Sequence, residues 1–153
     1  MEQRSIKEIM ADFGQAIGYP ELALDEDGSC LLAAGEQALF LSCPEGAVSL
    51  LVYAPVGEPP EGPHRAELAE ELLAANAYNE GTRGLTLGLS SERDLIMLSG
   101  TLPVSLLDAA SLQSFLQFFM EQAVSWEQYI DDFPRSKQRD EQDDNDVPGG
   151  IRV

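Results

Sequence analysis

Histidine and cysteine are nearly missing from this chain, and most metal and nucleophile chemistry is missing with them. His64 is the only histidine among 153 residues. A histidine-based metal cluster is therefore excluded, and a catalytic dyad would have to use this one ring. It follows Pro63 at an expected helix start, where a surface histidine is the simpler account. Cys30 and Cys43 stand at a spacing with no metal or redox pattern. Neither has a cationic neighbour to favour a thiolate, so both are read as reduced thiols of a cytoplasmic protein. Basic residues are also scarce. Nine stand against 27 acidic ones, for a formal charge of −18, which argues against nucleic acid or an anionic membrane as partner. No apolar run approaches the roughly 20 residues of a membrane span, and MEQRSIKEIM lacks the apolar core of a signal peptide. Gly81, Gly84 and Gly88 miss the phosphate-binding spacings, and no Lys-Ser/Thr accompanies them. No catalytic residue, metal or cofactor is expected. Carboxylates lie near one another throughout, but in so acidic a chain chance alone brings that about.

Residues 64–100 organise what is there. Leu68, Leu72, Ala75 and Asn79 recur at helical spacing, with Glu67, Glu70 and Glu71 mostly on the other side. Asn76 and Asn79 lead into Gly81 and Gly84, which end a helix and permit a tight reversal. Leu85, Leu87 and Leu89 then alternate with Thr86, Gly88 and Ser90, predicting a strand, and residues 91–93 supply a polar turn. Leu95, Ile96, Met97 and Leu98 are apolar on both faces. Such a strand needs two covers, and in a chain this small the second is expected from another subunit.

Ahead of that stretch, Ser5 and Glu8 form a capping box, and Ile6, Ile9, Met10, Phe13 and Ile17 predict an amphipathic helix over 6–17. Gly18 and Pro20 stop it. Leu22 and Leu24 alternate before the DEDG turn at 25–28 and are read as a short edge strand. Further strands are predicted over 30–33, 37–42 and 48–54. Phe40 faces away from Leu39 and Leu41, and the alternation leaves it open as core, groove or dimer contact. The proline- and glycine-rich 55–63 is read as an exposed loop within one domain. After Pro103, Ser105 with Asp108 offers a second capping box. Leu112, Phe115, Leu116, Phe119, Ala123, Trp126 and Ile130 predict the long helix that seals the sheet, and Phe118 falls off that stripe. The expected fold is α+β, an antiparallel sheet packed with three helices in the order α-β-β-β-α-β-β-α. One domain is expected over 1–133, followed by a disordered acidic tail over 134–153.

The stretches LLAANAYNEGTRGLTLGL (72–89), DLIMLSGTLP (94–103) and AVSWEQYI (123–130) carry a resemblance. Leucine-rich helix, Gly-rich turn, hairpin and closing aromatic helix resemble the class I, effector-binding chaperones of bacterial type III secretion. The resemblance covers residues 3 to about 130 and rests on element order, size and acidity rather than on one motif. It implies a cytoplasmic homodimer that acts without ATP. Such a dimer holds the extended N-terminal segment of a secreted effector soluble and secretion-competent. The closing GGIRV is similar to the regulatory members. The alternative is thus an adaptor of the same fold that sequesters a small secreted regulator or anti-activator. On this reading Ile9, Phe13, Ile17, Leu22, Leu24, Leu39 and Leu41 form the partner-binding groove, and Leu72, Asn76, Leu87, Leu95 and Met97 the dimer interface.

Overall fold

The computed structural model describes residues 4–145. Helix α1 (Ile6–Ala16) opens on the expected box: Ser5 Oγ accepts the Glu8 amide at 3.3 Å, and the Glu8 carboxylate accepts the Ser5 N–H at 2.8 Å. The hydrogen bond from the Ser5 backbone holds the Glu8 carboxyl below its usual range. Strands β1 (Ser29–Ala34), β2 (Gln37–Ser42) and β3 (Ser49–Gly57) follow as a meander. Helix α2 (Pro63–Asn76), the hairpin β4 (Thr86–Ser90) and β5 (Leu95–Pro103), and helix α3 (Ala109–Asn145) complete the order. The five strands form one antiparallel sheet, β1-β2-β3-β5-β4, so β1 and β4 are its two edges.

Register and burial separate the two faces of the sheet. Cys30, Leu41, Val52 and Gly100 lie in one row across β1, β2, β3 and β5. On that face Leu39, Leu41, Leu50, Val52, Ala54, Val56, Leu87, Ile96 and Leu98 are buried, together with Ile9, Met10 and Phe13 of α1 and Leu112, Leu116, Phe119, Ala123, Ile130 and Phe133 of α3. Each such side chain larger than alanine contributes about 1.5–3 kcal/mol by leaving water. A slip of one residue would turn a whole strand's set outward, so the register is firmly fixed. Gly100 lets α3 lie close. A Cβ there would stand 2.7 Å from Leu85 Cδ2 and 3.0 Å from Phe115 Cζ.

Five local expectations differ from what is observed. The run over 55–63 is not all exposed loop: Pro55, Val56 and Gly57 belong to β3, Val56 is buried, and Pro63 opens α2. Leu22 and Leu24 are not in a strand. The chain turns back after α1, with the Tyr19 amide on the Gly14 carbonyl at 2.8 Å and the Leu22 amide on the Tyr19 carbonyl at 3.1 Å. Gly14 permits this, since a Cβ would sit 2.6 Å from the Tyr19 oxygen. The second capping box is Asp108 with Ser111, three residues beyond the expected one. Ser111 N–H donates to Asp108 Oδ1 at 2.7 Å and Asp108 N–H to Ser111 Oγ at 2.9 Å. A short 3-10 turn, Val104–Leu106, takes up the intervening residues. Helix α2 ends at Asn76 and the chain kinks through Tyr78 and Asn79, both at positive φ, so Asn79 leaves the helix face. Finally, α3 runs through Pro134 to Asn145 where a disordered tail was expected to begin. A proline removes one helical hydrogen bond, and the Lys, Arg, Gln and Glu that follow are good helix formers. GGIRV lies outside the described residues.

Candidate partner-binding surface

The residues expected to form the groove come together, but inside the molecule. Ile9, Phe13, Leu22, Leu39 and Leu41 are all buried, and Leu24 packs partly buried against them. Only Ile17, 43% exposed, faces solvent. This group belongs to the common buried core, where α1 packs against α3, and offers a partner little open surface.

The uncovered apolar surface is the opposite face of the sheet. Register places Leu31, Ala33, Ala38, Phe40, Leu51 and Tyr53 there. Leu31 is 60% exposed, and Phe40 stacks on Tyr53 with ring centroids 5.2 Å apart and planes at 13°. The β1 edge adjoins this face. Gly28 and Cys43 exchange a backbone bond, Cys43 N–H to the Gly28 carbonyl at 2.8 Å, so even-numbered residues of β1 bond β2 and odd-numbered ones point outward. Asp25 closes Ser29: its carboxylate accepts the Ser29 N–H at 2.9 Å, and its own amide donates to the Ser29 carbonyl at 2.8 Å. Leu31 and Ala33 are left with outward N–H and C=O groups unpaired among the described residues. A cleft of about 420 Å³ runs beside this edge, lined by Tyr19, Leu31, Phe40 and Tyr53, and its charged lining residues are Glu21 and Asp25.

The five expected dimer residues divide in two. Leu72, Asn76 and Leu87 line a largely apolar pocket of about 230 Å³ between α2 and β4, with exposed Leu73 and Leu89 at its mouth. Arg65 at its border bonds Asp94 at 2.7 Å, tying α2 to the hairpin turn. Leu95 and Met97 alternate with buried Ile96 and Leu98, and therefore lie on the uncovered face instead. Leu95–Leu98 is thus apolar on both faces because helices cover one, while the other stays partly open in the single chain.

Residues 8–127 match the Tir chaperone protein (CesT) family. The chain belongs to that family of type III secretion chaperones. Solved structures share the fold of this chaperone. One is the HopA1–SchA chaperone–effector complex, at 24% identity and TM-score 0.66 over 80% of this chain and 92% of that one. Another is the ExsC–ExsE complex, at 22% and 0.70 over 82% and 92%. A third is the Yersinia pestis chaperone SycH with a stable fragment of YscM2, at 16% and 0.64 over 80% and 99%. No curated protein matches the chain in sequence.

The family consists of binding proteins. Burial pushes the thiols of Cys30 and Cys43 up, with Asp25 adding to the effect at Cys30, so both stay protonated near neutrality. Among the described residues no group of three His, Cys, Asp or Glu is placed to hold a metal ion, and no helix is long and apolar enough to cross a membrane. Sequence reasoning missed Leu31, Leu51 and Tyr53 as surface residues. The signal was present in Phe40, which alternates against Leu39 and Leu41, but the covered face became evident only with the helices in place.

Proposed function

We propose that this chaperone binds an extended segment of a secreted protein along the β1 edge and the uncovered sheet face, without ATP. The segment stays soluble and competent for secretion because its apolar side chains and its backbone are both occupied. The observation that carries this reading is the juxtaposition at β1. Outward N–H and C=O groups at Leu31 and Ala33 adjoin the apolar face of Phe40 and Tyr53. A partner strand added there would satisfy the edge and set alternate side chains on that face. Glu21 and Asp25 beside the cleft, on a chain of charge −18, favour basic residues flanking the bound segment. Complexes of family-fold neighbours such as SchA with HopA1 support the reading. The chaperone acts as a homodimer in the cytoplasm, joined through the α2–β4 pocket.

The test is Leu31→Asp. Its side chain is mostly exposed, so the fold should survive, while a carboxylate on the apolar face should release a secreted partner captured by the wild type. Retention of that partner by the folded variant would defeat the assignment. Mass spectrometry of the partner separates an effector from a small regulator, and with it the chaperone from the adaptor.

A further inference from the structure

The sheet has two edges, and an extended chain can in principle add to either. Along β4 and the residue before it, the outward positions are Leu85, Leu87 and Leu89. Both backbone groups of Leu87 turn away from β5, and alternation along an antiparallel strand places Leu85 and Leu89 the same way. The Leu85 N–H is taken by the Thr82 carbonyl at 3.1 Å. The Leu87 pair is taken by one side chain. Asn76 Nδ2 donates to the Leu87 carbonyl at 2.7 Å, and the Leu87 N–H donates to Asn76 Oδ1 at 2.9 Å. A carboxamide carries the same donor and acceptor as a peptide group, so Asn76 stands where the peptide of a sixth strand would be.

We infer that Asn76, the last residue of α2, is the residue that closes the β4 edge and restricts strand addition to β1. Among the described residues nothing comparable holds Leu31 and Ala33, whose edge has only its first residue, Ser29, closed by Asp25. Closure at β4 also dictates how two copies meet there. With Leu87 occupied, only Leu89 offers an outward pair, too little for a continuous sheet, so contact through the α2–β4 pocket is made by side chains. The inference rests on β1 as the docking edge, but its test uses the chain alone and needs no secreted partner. The outcome therefore separates from that of the functional reading.

Light scattering over a concentration series measures the mass of four full-length variants against the wild type. Leu89 is 53% exposed, and proline there removes an outward N–H without touching the ladder to β5. Leu89→Ala trims the side chain and keeps that N–H. Because the closed edge is not used for pairing, Leu89→Pro and Leu89→Ala should have the same mass. A lower mass for the proline variant alone would overturn the inference. Asn76→Ala opens the Leu87 pair at the place where two copies meet, so the dimer should persist to lower concentration than the wild type as the two β4 edges pair. Adding Leu89→Pro to Asn76→Ala should cancel that gain. A folded Asn76→Ala that dissociates over the wild-type concentration range would overturn the inference as well. Should Asn76→Ala not fold, the comparison at Leu89 decides alone.

Discussion

Phe13→Ala separates a core residue from a groove residue. Phe13 is 4% exposed and belongs to the core cluster that holds α1. Truncating a buried phenylalanine costs about 3–5 kcal/mol, from lost transfer energy plus the cavity left behind. Against a typical stability of about 5–15 kcal/mol the loss is large but need not unfold the chain. At roughly 2–4 °C per kcal/mol for a domain of this size, the midpoint should fall by about 6–20 °C. Leu31→Asp, at an exposed position, should stay within about 0.5 kcal/mol of wild type. Differential scanning calorimetry of the three proteins, followed by a partner pull-down, reads both quantities. A Phe13→Ala variant that melts with the wild type yet loses the partner would refute this reasoning and move the groove onto α1.

Leu73→Asp should yield a folded monomer by light scattering, because Leu73 is exposed at the mouth of the α2–β4 pocket and a dimer would bury the new carboxylate without a partner. An unchanged mass would remove the pocket from the interface. Deleting residues 135–153 should leave the melting temperature nearly unchanged, since the core contributed by α3 reaches only as far as Phe133 among the described residues. Asp108→Ala should lower the melting temperature at neutral pH. The Ser111 backbone N–H holds the Asp108 carboxyl below its usual range, so its stabilisation is present above the unfolded carboxylate value and lost as pH falls through the lower folded one. The gap between wild type and variant should therefore close in acid, and a gap that widened there would contradict the assignment.

The order of elements was legible because the hydrophobic period changes wherever the structure does. Ile6 to Phe13 reads at helical spacing, Gln37 to Ser42 at a spacing of two, and Leu112 to Ile130 at helical spacing again. Leu22 and Leu24 alternate just as truly, yet two residues cannot show whether the alternation has a neighbouring strand. Here Gly14 and the Asp25 turn fold them inward. The candidate site was half legible. Leu72 and Asn76 meet Leu87 because a helix and the strand after its turn are adjacent in space. Which face of the sheet the helices cover is a long-range property, and so the buried leucines 39 and 41 were assigned to a groove while Phe40 was left open. Asn76 appeared only as part of a pattern, since its hydrogen bonds depend on where α2 ends beside β4.

Amide hydrogen exchange of the chaperone, free and bound to a secreted protein captured with it from the native cell, tests the central claim most directly. Leu31 and Ala33 carry outward N–H groups that should exchange readily in the free protein. A strand added at the β1 edge should protect both in the complex, while the Leu87 amide, already held by Asn76 Oδ1 at 2.9 Å, should change little. Unaltered exchange at Leu31 and Ala33 in a saturated complex would contradict the account.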